Sequence, residues 1–151
     1  VVNCESVDVS KAGLTGLVAQ RGSRIIGEYM NATECGRNGI RVETGSTGSV
    51  RGSDVSKAVE AGLYIREACH IDASKLVANQ CGAEGIRVDE ASIINARNVT
   101  CQNNKSQDMK IQSGSTINAQ QAKTTKGSPS PQDCGVQSFN TIDGANGIIY
   151  A

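Results

Sequence analysis

GIRVETGS (Gly39–Ser46) and GIRVDEAS (Gly85–Ser92) are nearly the same phrase, 46 residues apart. Halfway between them stands GLYIREAC (Gly62–Cys69). One step earlier is GLVAQRGS (Gly16–Ser23), and one step later is DMKIQSGS (Asp108–Ser115). The copies begin at 16, 39, 62, 85 and 108, a fixed interval of 23 residues without insertions. A strict period in the range of about 20–50 residues marks a solenoid, whose repeats stack on one another.

Aligned by this period, the copies resolve into columns. The residue after the leading Gly or Asp is Leu17, Ile40, Leu63, Ile86 or Met109, and two further on is Ala19, Val42, Ile65, Val88 or Ile111. Polar residues fall between them, so the alternation has period two, that of a strand with one buried face. A second strand follows at Ile25, Gly48, Ile71, Ile94 and Ile117. A third, shorter one follows at Met30, Ser53, Leu76, Val99 and Ala122. Val2, Val7, Val9 and Ala12 obey the same register, so the chain starts in mid-coil.

Three short strands per copy at a strict period predict an all-β, single-stranded parallel β-helix solenoid with 23-residue coils. Like residues then stack at about 4.8 Å. A leucine-rich repeat would need its regular Leu and Asn pattern, and helical repeats would need a period of 3.6. Right-handed coiling is expected, because crossovers between parallel strands almost always take that hand. Coils are expected over residues 1–126. Residues 127–151 read as a register-breaking loop followed by an imperfect coil acting as a cap, because KGSPSPQD (Lys126–Asp133) holds both prolines of the chain. No cap is visible at Val1, so the reading expects an upstream portion of a longer parent, or a partner, to cover that end.

Composition narrows the function. Fifteen basic and fifteen acidic side chains give a formal net charge of zero, which argues against a nucleic-acid binder. No apolar run approaches the ~20 residues that span a bilayer, so membrane insertion is not expected. One Phe, three Tyr and no Trp leave the interior to small and branched aliphatic residues. Cys35 and Cys81 share a column two coils apart, roughly 9–10 Å, beyond disulfide reach. Cys69 takes a place held elsewhere by Ser23, Ser46, Ser92 and Ser115. Reduced, buried thiols are expected, which suits folding in a reducing cytosol.

SGSTINAQ (Ser113–Gln120), EASIINAR, EACHIDAS and the Gly- and Asn-rich turns of CGRNGIRV and CGAEGIRV resemble the rungs of bacteriophage tailspike and tail-fibre β-helices, a pectin-lyase-like family. The resemblance covers about residues 1–125. It implies a parallel homotrimer in a virion tail, folded in the host cytoplasm and acting at the host surface, where it attaches to bacterial polysaccharide. The runner-up reading is a depolymerase, since many members cleave the glycan with carboxylates on the β-helix flank or between subunits; for this stretch alone the reading leans away from an enzyme. No catalytic residue transfers by position.

The outward positions of the first strand carry the candidate chemistry. One column reads Val18, Arg41, Tyr64, Arg87, Lys110, and its neighbour reads Gln20, Glu43, Arg66, Asp89, Gln112. Arg41, Tyr64, Arg66 and Arg87 are the candidate ligand-binding residues, since guanidinium groups and an aromatic ring can hydrogen-bond to and stack on a sugar. The plain structural alternative is an exposed cross-coil ladder, Glu43–Arg66–Asp89, or a subunit interface. Glu43, Asp89, Glu67 and Glu90 are the candidate catalytic carboxylates. Glu67 and Glu90 share a column on adjacent coils, at the ~5 Å that suits a retaining glycosidase. Asp54 and Asp72 are looser candidates. His70, the only histidine, lacks a nucleophile at a fixed spacing and reads as a surface residue. Asp72, Asn95 and Asn118 predict a short polar ladder. The sequence carries no metal-ligand pattern and no nucleotide fingerprint, so neither metal nor cofactor is expected. An ice-binding surface would need a flat rank of one small residue type, whereas these columns are irregular; a secreted adhesin would usually be much longer.

Overall fold

The computed structural model describes residues 1–125 as a parallel β-helix. In chain order the strands are β1 (Val2–Asn3), β2 (Leu17–Ala19), β3 (Arg24–Ile26), β4 (Ile40–Val42), β5 (Thr47–Ser49), β6 (Leu63–Ile65) and β7 (His70–Asp72). They continue as β8 (Ile86–Val88), β9 (Ile93–Asn95), β10 (Thr100–Cys101), β11 (Met109–Ile111), β12 (Thr116–Asn118) and β13 (Lys123–Thr124). Strands β2, β4, β6, β8 and β11 form one sheet, and β1, β3, β5, β7, β9 and β12 form another. Pairing is parallel throughout and every partner lies 23 residues away, as in Ile40↔Leu63, Leu63↔Ile86 and Ile71↔Ile94. The quoted phrases are therefore the same strand of the same sheet, two coils apart.

The third side of the coil is barely a sheet. Single bridges join Asp8, Asn31, Asp54, Val77 and Thr100, and only β10 and β13 pair over two residues. Local chemistry explains this. Asp8, Asn31 and Asp54 each use Oδ1 to accept the N–H two residues on, from Ser10, Thr33 and Ser56. That turn begins two residues after the bridge and ends the extended stretch there.

Inside run the predicted columns. Ile40, Leu63, Ile86 and Met109 are buried, as are Ile71, Ile94 and Ile117, with Leu76, Val99, Ala78 and Cys101 closing the third side. The leading glycines form a spine. A Cβ at Gly39 would lie 2.8 Å from the Gly62 carbonyl oxygen, and one at Gly62 would lie 2.8 Å from that of Gly85. Only a residue without a side chain allows so close a stack, which is why GIR recurs.

A second internal column is polar, the one in which Cys69 stands among serines. Ser46 Oγ donates to the Glu43 carbonyl at 2.7 Å and accepts the Ser23 N–H at 3.2 Å. Ser92 Oγ accepts the Cys69 N–H at 3.1 Å, and Ser115 Oγ accepts that of Ser92 at 3.2 Å. Each buried hydroxyl thus ties one coil to the coil before it, satisfying backbone groups that the turn leaves unpaired. Cys4, Cys35, Cys69 and Cys81 are free thiols, and the Cys101 thiol donates to the Asp108 carbonyl. The loop and cap expected over residues 127–151 lie outside the described residues.

Candidate functional site

The five-stranded sheet presents Arg41, Tyr64, Arg87 and Lys110 from the middle residues of β4, β6, β8 and β11, because alternation turns these away from the core. One residue beyond each strand, Glu43, Arg66 and Asp89 emerge beside them. The structure brings all four candidate ligand-binding residues together. Arg41 Nη2 lies 2.6 Å from Glu43 Oε2, and Arg66 Nη2 reaches the same oxygen from the next coil at 3.0 Å. Arg87 Nε bonds Asp89 Oδ2 at 2.8 Å. Between these groups stands Tyr64, with the Arg87 guanidinium 4.9 Å from its ring centroid and that of Arg66 at 6.0 Å.

Two features differ from the exposed ladder expected. First, the carboxylates are not exposed: Glu43 is 9% and Asp89 6% accessible. Second, Arg66 pairs with Glu43 and Glu67, while Asp89 takes its partner from its own coil. A guanidinium between two coils can satisfy one neighbour fully or two poorly, and Glu43 already concentrates the charge of Arg41. The Tyr64 ring is also clamped by Arg87, a cation–π contact, and so offers less open face for sugar stacking than the sequence suggested.

Electrostatics follow from this packing. Burial alone would raise the Glu43 carboxyl, but hydrogen bonds and charge from Arg41 and Arg66 outweigh it and hold the group below the usual glutamate range. Burial pushes the Tyr64 hydroxyl up, and the Asp89 charge pushes it further. Asp89 Oδ1 is a buried acceptor without a hydrogen bond of normal geometry.

The turn carboxylates behave differently. Glu67 and Glu90 both occupy left-handed backbone, φ 62° and 56°. Glu67 is held by Thr44 Oγ1 at 2.5 Å and Arg66 Nε at 3.2 Å, whereas Glu90 is exposed and joins no ion pair among the described residues. His70 is exposed on the six-stranded sheet. On that sheet Asn95 Nδ2 donates to Asp72 Oδ1 at 3.0 Å, while Asn118 Oδ1 accepts the Gln120 N–H, so the ladder is one bond long. Asp54 serves its own turn.

Sequence reasoning passed over Glu84. Its carboxylate is buried beside the same face and pairs with Lys110 Nζ at 3.4 Å. Asn38, in the equivalent column, is buried with its Nδ2 on Glu60 Oε2 at 3.1 Å. Both sit just before the spine glycine, where alternation stops and the sequence signals only a turn. Among the described residues no group of three or more His, Cys, Asp or Glu is placed to hold a metal ion.

Residues 1–148 match the family model of the right-handed β-helix region. The chain belongs to that β-helix family. Its right hand is the one the crossover rule leads one to expect. None of the curated proteins matches the chain. The fold is consistent with a carbohydrate-binding or pectate-lyase-like superfamily, and the activity must be argued from the site.

Proposed function

We propose that this chain is a β-helix module of a phage tailspike or tail fibre that attaches to the surface polysaccharide of a host bacterium. The observation that carries this reading is the Arg41–Glu43–Arg66 and Arg87–Asp89 lattice around Tyr64. It sets fixed donors and acceptors at coil spacing, about 4.8 Å, along one face of a rigid sheet. An extended polymer of hydroxyl groups matches such a rank. The rung phrases add the phage likeness, and with it the proposal of a parallel homotrimer placed in the virion tail.

The alternative is a depolymerase. Glu43 and Asp89 stand two coils apart, roughly 9–10 Å along the stack, closer to the separation of an inverting pair than to that of a retaining pair. Against it, an acid catalyst must give up a proton, and Glu43 is held ionised by two guanidinium groups.

The test is incubation of the purified chain with surface polysaccharides from a panel of bacteria, measuring retention and new reducing ends together. Retention without release, weakened in Arg66→Ala, supports attachment. Release of reducing ends supports the depolymerase. Neither, with the coil shown to be folded, removes the glycan reading. A monomeric mass at micromolar concentration removes the trimer.

A further inference from the structure

Two observations on the five-stranded sheet bear on which glycan it takes. The first is charge pairing. Four cations line the face, Arg41, Arg66, Arg87 and Lys110, and the carboxylates of Glu43, Glu67, Asp89 and Glu84 pair with them. The face is thus neutral, four against four, and no cation on it waits for an anion. A uronate or sialate carboxylate arriving there would shed water without gaining a free counter-charge, and would meet Glu43 and Asp89 at close range.

The second is Asp89. It is nine-tenths buried, its Oδ2 is taken by Arg87, and the further donor facing it is the Tyr64 hydroxyl, which leaves Oδ1 without a hydrogen bond of normal geometry. A buried acceptor without a donor is a standing cost that a ligand removes only by supplying a donor. A sugar hydroxyl is a donor and an ionised carboxylate is not. Oδ1 is buried, so a ligand reaches it only by moving the side chains beside Asp89, of which Tyr64 faces it and Arg87 holds Oδ2. Both side chains are part-exposed, and Arg87 retains 35% of its accessible surface.

We infer that this face selects a neutral, hydroxyl-rich polysaccharide over an acidic one, with Asp89 accepting a sugar hydroxyl. The inference rests on the glycan reading given above and adds the substrate class. A separation into neutral and acidic ligands would otherwise follow net charge, and here local pairing has cancelled it.

Affinity electrophoresis tests it, with dextran, mannan and galactan as neutral probes and polygalacturonate, hyaluronan and polysialate as acidic ones, at two salt concentrations. The expected result is that at least one neutral polymer retards the chain independently of salt, and that the acidic polymers do not. Asp89→Asn frees the Arg87 charge. The variant should lose about tenfold in affinity for the neutral polymer and gain salt-sensitive retention by the acidic ones. The gain follows from the freed Arg87 charge alone; the loss for the neutral polymer is the part that a merely structural Asp89 would not give. If Asp89→Asn does not fold, Glu43→Gln, which uncompensates Arg41 and Arg66, should gain the same salt-sensitive retention by the acidic polymers while keeping the neutral one. Preference of the unaltered chain for an acidic polymer, or equal retention that the variants leave unchanged, overturns the selection and leaves glycan binding standing. Retention by no polymer of either class overturns both.

Discussion

Arg66 reaches back one coil to place both Nε and Nη2 3.0 Å from Glu43 Oε2, the oxygen that Arg41 also holds from Glu43's own coil. One carboxylate thereby joins two adjacent rungs on the outside of the sheet, as the serines join them inside. Because Glu43 is nearly buried, the pairing exceeds an ordinary surface ion pair, whose worth is about 0–1 kcal/mol.

Replacing Glu43 by Gln should cost about 1–3 kcal/mol at neutral pH, since two guanidinium groups lose their charged acceptor. Glu43 titrates below its ordinary value in the folded chain. Its contribution is therefore complete above the unfolded glutamate pKa of about 4.3 and fades as pH falls through the lower folded value. Urea unfolding of both proteins from pH 7 to pH 3 checks this. The two stabilities should converge toward the acid end; a gap that stays constant across the range would show that the charge is not what matters.

The serine column supplies a second prediction. At Cys69 the ladder changes atom: the thiol donates to the Arg66 carbonyl at 3.0 Å, and the backbone N–H groups of Ser46 and Gly45 face its sulfur. Sulfur is a weak acceptor. Cys69→Ser restores the hydroxyl found one coil away on either side, and should stabilise the chain by about 0.5–1.5 kcal/mol. Ser92→Ala should do the reverse, by about 1–3 kcal/mol, because the Cys69 N–H loses its acceptor. A destabilised Cys69→Ser would mean that the larger sulfur is needed for packing.

These cases show which parts of the molecule could be read from its residues. Period and alternation fixed the coil, the two long sheets and the core columns, because each rung must offer the next a matching surface. The same columns put Arg41, Tyr64, Arg66 and Arg87 on one face. They said nothing about how deeply Glu43 and Asp89 sink, or which arginine each takes, since those depend on side-chain packing across coils. Glu84 was lost where alternation stops. Gly48, placed among isoleucines, breaks the apolar column for a backbone reason: its φ is 142°, and a Cβ there would lie 1.9 Å from the Ile25 carbonyl oxygen.

Thiol reactivity should follow depth. Cys35 and Cys81 are fully buried, and burial pushes the Cys81 thiol up to about 11; burial raises the Cys4 thiol as well, but that side chain is only partly covered. The thiolate is the reacting species, so brief iodoacetamide treatment at pH 8 should modify Cys4 in the folded chain and spare Cys35 and Cys81. Peptide mapping by mass spectrometry reads the sites. Rapid modification of Cys81 without denaturant would contradict the stacked interior.

The turn after each strand of the five-stranded sheet gives the last prediction. Two consecutive residues there are left-handed in every coil. The second is Gly22, Gly45 or Gly114 in three coils, but Ala68 and Ala91 in the other two, at φ 58° and 57°. An L-residue in this conformation costs roughly 1–2 kcal/mol, against about 0.4–1 kcal/mol for the extra unfolded-state freedom of glycine. Ala68→Gly and Ala91→Gly should therefore each stabilise the chain, by about 0.5–1 kcal/mol, raising the unfolding midpoint by about 1–4 °C. Ala68→Val should lower it, because a β-branched residue tolerates this region least. Both side chains are exposed, so no packing change competes with the backbone term. A thermal scan of the three variants decides the matter, and a lower midpoint for both glycine variants would mean that these turns relax out of the left-handed region in solution.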